Sequence, residues 1–135
     1  MYPFDTKFLV ADDMSAIRDL VKGHLKSMGF KRIVEADNGE LAYKILEDEL
    51  KNQSPIEFVI SDWNMPKMTG LDFLKKVRAS SIYGTLPFIL LTSESEREQV
   101  TEAVLAGVSQ YIVKPFTPKM IEDKIKSVWE KNLKK

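Results

Sequence analysis

The sequence predicts an α/β domain built on a doubly wound parallel five-stranded sheet, (βα)5, on three observations. Five short apolar runs rich in β-branched and aromatic residues recur along 135 residues, and an amphipathic helical segment follows each of them. Four of the five runs end directly on a polar residue with chemical potential. The runs lack strict alternation, as expected of strands buried on both faces. Right-handed crossovers keep such strands parallel, with helices on both sides of the sheet and ligands at the carboxyl ends of the strands.

The runs are Phe8 to Ala11, Arg32 to Ala36, Phe58 to Ser61, Phe88 to Thr92 and Tyr111 to Val113. After the first, Ile17, Leu20, Val21, His24, Leu25 and Met28 fall on a single helical stripe, which Gly29 ends as a C-terminal cap. A second helix spans about Asn38 to Leu50 with Ala42, Ile45 and Leu46 inward, and Asn52 to Pro55 stop it. A third spans Thr69 to Arg78 with Leu71, Leu74 and Val77 inward. Thr69 caps it, and Asp72 sits in its first turn. The fourth has two candidate capping boxes, Ser93 with Glu96 and Ser95 with Glu98, and a buried side of Val100, Ala103 and Val104. The fifth opens with Thr117 at the cap and Pro118 at the first helical position, and it turns Ile121, Ile125 and Val128 to one face.

Composition narrows the chemistry. With 44% hydrophobic and 30% charged residues, the chain reads as one globular domain over residues 1–135, long enough to bury roughly 68% of its unfolded surface. It has no Cys, which removes disulfide scaffolds, Cys-ligated metals and Cys nucleophiles. No run approaches a membrane span or a secretory core, so a cytoplasmic protein is expected. The 20 basic and 20 acidic residues balance, leaving no field to gather nucleic acid. The balance hides an asymmetry: residues 1–64 hold 8 basic and 12 acidic side chains, residues 114–135 hold 7 and 3. The glycines form neither GxGxxG nor a P-loop, so a nucleotide site lacks support. The single histidine, His24, reads as a packed or stripe-edge residue remote from the strand ends.

The first run leads into Asp12 and Asp13, the third into Asp62, the fourth into Thr92 and the fifth into Lys114. Each such residue alone reads as a helix cap or an ordinary loop residue; together they describe a site. Three clustered carboxylates repel one another unless a cation joins them, and a site with only oxygen donors suits a hard divalent ion such as Mg²⁺. Three Asp charges against Mg²⁺ and Lys114 give local neutrality in a site suited to receive a phosphoryl group. A carboxylate is a competent nucleophile there, Thr92 a hydrogen-bond donor and Lys114 a neutralising charge.

Phe8-Leu-Val-Ala-Asp-Asp13, Val59-Ile-Ser-Asp-Trp-Asn-Met-Pro66, Leu91-Thr92 and Tyr111-Ile-Val-Lys-Pro-Phe116 together resemble the receiver domain of response regulators, the chemotaxis receivers most of all. The similarity covers nearly the whole chain. It implies the flavodoxin-like strand order 2-1-3-4-5, a phosphoryl group accepted on Asp62 from the phosphohistidine of a chemotaxis-type sensor histidine kinase, and Mg²⁺ held in the pocket of Asp12 and Asp13 by Asp13, Asp62 and the Asn64 carbonyl. It also implies that Thr92 and Tyr111 are switch residues, that Lys114 binds a phosphoryl oxygen before a cis bond to Pro115, and that Asn64 and Glu94 tune phosphate lifetime.

The expectation is a monomeric single-domain response regulator, without an output domain, that signals to the flagellar motor switch and is reset by its own hydrolysis or a phosphatase. The remodelled surface of the fourth helix, fifth strand and basic fifth helix suits an acidic, partly helical partner. The alternative is a phosphorelay or phosphate-sink receiver. A metal-dependent phosphohydrolase resembling the haloacid-dehalogenase family would need a second Asp where Asn64 stands, and a substrate cap for which no residues remain. An interaction module independent of phosphorylation would not need the acidic, Thr and Lys positions. Three departures from the chemotaxis pattern stand out: a longer segment from Asp48 to Glu57, and the larger residues Ser93 and Gln110.

Overall fold

The computed structural model describes residues 1–93 and 99–133. Among these, β1 (Lys7–Ala11), α1 (Ser15–Ser27), β2 (Arg32–Ala36), α2 (Gly39–Lys51), β3 (Phe58–Asp62), α3 (Gly70–Ala79), β4 (Phe88–Thr92), α4 (Val100–Leu105), β5 (Gln110–Val113) and α5 (Pro118–Leu133) follow in strict alternation. All strand pairs are parallel, in the order β2-β1-β3-β4-β5. The chain moves one way from β1 to β2 and then returns past β1 to β3. The crevice at that reversal is where the fold presents ligands.

Parity along the strands divides the interior into two layers. Phe8, Val10, Phe58, Ile60, Ile89, Leu91 and Ile112 point to one side, where they pack with Val21 and Leu25 of α1 and Ile121, Ile125 and Val128 of α5. Leu9, Ala11, Val59, Phe88 and Leu90 point to the other, against Ala42 and Leu46 of α2, Leu71, Phe73, Leu74 and Val77 of α3, and Ala103 of α4. Burial on both faces holds for β1, β3 and β4. It fails for β2 and β5, which occupy the edges and are largely half-buried.

Local signals act as the sequence suggests at most helix ends. Gly29 adopts φ +101° after α1, a conformation that a Cβ disfavours. The Asn38 and Thr69 side chains accept from the Leu41 and Asp72 amides, and Thr117 Oγ1 accepts from Met120 N at 3.2 Å. Two side chains assigned inward are not. Leu20 is 44% exposed because the stripe of α1 is narrower, running Ile17, Val21, Leu25, Met28. Val104 is 58% exposed because the short α4 faces the core through Ala103 and, beyond its end, Ala106; Val104 is turned about 100° away from Ala103. Of the capping boxes proposed for the fourth helix, Glu96 of the first and both residues of the second lie outside the described residues.

The longer segment Asp48 to Glu57 finishes α2 and turns back at Gln53, φ 59°. Lys7 ties it down: its ammonium pairs with Glu49 and donates to Ser54 O and Oγ, each at 3.0 Å. Arg32 adds a 2.7 Å bond to Ser54 Oγ. These bonds anchor the segment at the amino end of the sheet, away from the strand ends that carry Asp12 and Asp62.

Candidate functional site

Strand register brings the site together. β1 and β3 pair Phe8 with Phe58 through Ala11 with Ser61, so Asp12 and Asp62 meet at the carboxyl edge on the same parity. Lys114 follows β5 on the parity of Ile112, the same side of the sheet. Thr92 and Tyr111 have the opposite parity and belong to the α2-α3-α4 side. Charge is thus gathered on one face while the hydroxyl and the aromatic ring stand behind it.

Lys114 Nζ lies 2.8 Å from Asp62 Oδ1 and 3.5 Å from Asp12 Oδ2. Oxygens of Asp12, Asp13 and Asp62 lie within 4.8 Å of one another, with Asp12 and Asp62 buried and Asp13 exposed. Burial drives the Asp62 carboxyl up to about 6; the Lys114 hydrogen bond opposes this, and the Asp12 charge adds to it. Asp12 is also raised, by burial above all, against the Met14 amide and Lys114. Burial alone would lower Lys114, but its bonds and attraction to Asp62 and Asp12 leave it raised. The site is therefore a buried acidic pair held by one ammonium, short of positive charge, with an exposed third carboxylate at its mouth. An all-oxygen donor set of this spacing fits a hard divalent cation.

Thr92 Oγ1 supplies a second indication. Thr92 is fully buried, and among the described residues its hydroxyl is the one buried side-chain oxygen without a hydrogen-bond partner. Leaving a buried hydroxyl unpaired costs about 1–3 kcal/mol, which an incoming acceptor oxygen would recover. Asn64 stands two residues past Asp62 in the loop to α3 and is exposed. Tyr111 is half-buried on β5, with Lys124 Nζ 5.7 Å from its ring centre. Glu94 lies outside the described residues. Trp63 is 5% exposed and packs in the layer of α2 and α3. His24 is half-buried, edge-on to Phe116.

Two supporting residues escaped the sequence reading. Arg18 donates from a terminal nitrogen to the Asp12 carbonyl at 2.7 Å and from Nε to Glu35 at 3.0 Å, and Glu35 also takes Lys22 at 2.9 Å. Bonding to Lys22 and Arg18 holds Glu35 below the usual carboxylate range. A cation in the first turns of a helix opposes its dipole, and that was the available signal. Gly70 opens α3 against the site itself: a Cβ there would stand 2.0 Å from the Asp62 carbonyl oxygen. Its amide donates to Trp63 O at 2.8 Å. No spacing rule distinguishes this glycine from an ordinary helix start.

Residues 8–126 match the family model described as response regulator receiver domain. The chemotaxis protein CheY of Pseudomonas aeruginosa is 40% identical over 125 residues, covering 93% of this chain and 97% of the relative. CheY-3 of Vibrio cholerae is 42% identical over 125 residues, covering 93% and 92%. Among solved structures, the chemotaxis response regulator CheY4 of Vibrio cholerae superposes with a TM-score of 0.77 at 34% identity, covering 92% of this chain and 98% of the other. A response regulator receiver domain protein from Clostridium thermocellum gives 0.81 at 27% identity, covering 96% and 99%.

Proposed function

Because the chain belongs to the response regulator receiver family, we propose that it is a single-domain, cytoplasmic chemotaxis regulator that accepts a phosphoryl group on Asp62 and passes the signal to the flagellar motor switch. The observation that carries this reading is the meeting of Asp12, Asp13, Asp62 and Lys114 beside the unpaired Thr92 hydroxyl. The names of the relatives favour chemotaxis over a phosphorelay or phosphate-sink role. Among the described residues, no helix is long and apolar enough to cross a membrane.

In the proposed step, an Asp62 carboxylate oxygen attacks the phosphorus of a sensor kinase's phosphohistidine. The P–O bond forms as the P–N bond breaks, and the imidazole leaves and takes up a proton. Asp13, Asp62 and the Asn64 carbonyl would hold Mg²⁺ beside Asp12, and the bound ion would supply countercharge for the phosphoryl oxygens. Lys114 exchanges its bond to Asp62 for one to a phosphoryl oxygen, and Thr92 donates to another. The inward movement of Thr92 frees space behind it for Tyr111, which reshapes the surface of α4, β5 and α5. Asn64 and Glu94 set how readily water reaches the acyl phosphate, with a phosphatase as a further route of reset.

Intact-mass measurement after acetyl phosphate treatment, with and without Mg²⁺, tests the chemistry. The expected result is a Mg²⁺-dependent, hydroxylamine-labile adduct of one phosphoryl group on the parent and none on Asp62→Asn. A full adduct on Asp62→Asn overturns the assignment. Phosphorylation-dependent binding to a flagellar motor switch protein tests the output, and equal binding by unphosphorylated protein would sink that part alone.

A further inference from the structure

At the end of the sheet opposite the carboxylates, a cleft of about 220 Å³ opens between the close of α3, the turn before β5 and the last turns of α5. Its polar lining comes from Arg78, Thr85, Ser109, Lys131 and Asn132, and no carboxylate is among its residues. Arg78 Nε donates to Gly107 O at 2.8 Å and one terminal nitrogen to Leu86 O at 2.7 Å, while the other lies 3.4 Å from Ser109 Oγ. Lys131 Nζ lies 3.5 Å from Ser109 O. Two cations therefore converge on one residue, and among the described residues neither pairs with a carboxylate.

Arg78 has a structural duty in satisfying two loop carbonyls, but neutral acceptors leave its charge in place. The carboxyl ends of α3 and α5 contribute roughly half a negative charge each, against two full positive charges. Arg78 is half-buried, and burial lowers its pKa, so an anion beside it would offset the cost of holding its charge there. Its planar fork keeps N–H groups beyond those used by the carbonyls. Ser109 Oγ already accepts from Phe88 N at 3.0 Å, so its own proton is available to donate.

We propose that this cleft is a second, non-covalent site for a phosphate-type oxyanion, either inorganic phosphate or the phosphate end of a small monoester, clamped between Arg78 and Lys131 with Ser109, Thr85 and Asn132 as donors. The reading is independent of Asp62 chemistry: its cations lie at the amino ends of β4 and β5, the carboxylates at the carboxyl ends of β1 and β3.

The test is amide NMR of the full chain titrated with inorganic phosphate, and separately with glycerol 3-phosphate, at ionic strength matched with chloride. Saturable shifts are expected at Gly84, Gly107, Val108 and Ser109. Lys131→Gln, at an exposed position, should weaken binding about tenfold through loss of one charge-assisted contact, and Thr85→Glu should abolish it by placing a carboxylate in the cleft. Tighter binding of glycerol 3-phosphate would identify a phosphomonoester as the ligand, equal binding the free anion. Shifts reproduced by chloride, shifts confined to the Asp62 end, or unchanged affinity in Lys131→Gln would each overturn the proposal.

Discussion

Replacing Asp62 with Asn should stabilise the fold, although it destroys the proposed phosphoacceptor. The Asp62 carboxyl is raised from 3.8 to about 6, chiefly by burial, despite its 2.8 Å contact with Lys114. Two pK units correspond to about 3 kcal/mol between the protonated and ionised forms. The Asp62 side chain is 10% exposed, so solvent screening removes little of that figure. For a carboxyl raised on folding, stability is fully present below the unfolded value near 4 and is lost as pH climbs through about 6. Above pH 7, Asp62→Asn escapes the whole loss and should be more stable by about 2–3 kcal/mol, a rise in Tm of roughly 6–12 °C. At pH 4 the two proteins should nearly coincide. Mg²⁺ favours only the parent's ionised site, so adding it should shrink the gap at pH 7.5. Thermal melts of both proteins from pH 4 to 8, in EDTA and in Mg²⁺, check all three statements. A gap independent of pH, or Asp62→Asn melting below the parent in EDTA at pH 7.5, would refute the account of a charge held at a cost.

Asp13→Ala removes the exposed carboxylate of the cluster, and Mg²⁺ titrations followed by Trp63 fluorescence should show affinity about tenfold or more weaker with the fold intact. Thr92→Val replaces the unpaired buried hydroxyl with a methyl of the same shape. It should raise stability by about 1 kcal/mol in urea unfolding while blunting the fluorescence change that accompanies phosphorylation. Gly70→Ala drives a Cβ to within 2.0 Å of the Asp62 carbonyl oxygen; about 1–3 kcal/mol of destabilisation and slowed phosphoryl acceptance are expected in unfolding and intact-mass experiments.

The sheet was legible because its strands write themselves as short apolar runs, and the centre of the site because Asp12, Asp62, Thr92 and Lys114 each end or directly follow such a run. Asp12, Asp62 and Lys114 then meet without further instruction: parallel register and a period of two place them on one face. What periodicity could not deliver was whatever depends on the neighbours. Val104 and Leu20 satisfy the helical spacing yet lie in solvent, because burial is decided by how wide a face the sheet covers, and α4 is too short to turn more than a narrow one inward. β2 and β5 read like the central strands, since an apolar run does not announce that it lies at an edge.

The resemblance to receiver domains supplied roles, and the geometry supplies reasons for them. Spacing alone says that Thr92 follows a strand; only the three-dimensional arrangement leaves its hydroxyl buried and unpaired while Asp62 is held ionised against its burial by Lys114. Both features cost stability, and both costs fall when an oxygen-rich, negatively charged group is attached at Asp62 with its countercharge. Under the proposed function, the unphosphorylated protein would carry the free-energy difference that phosphorylation draws on to shift the switch. The stability gains predicted for Asp62→Asn and Thr92→Val are the same quantity seen from the other side: removing either group should relieve the resting state and, with it, part of the driving force for signalling.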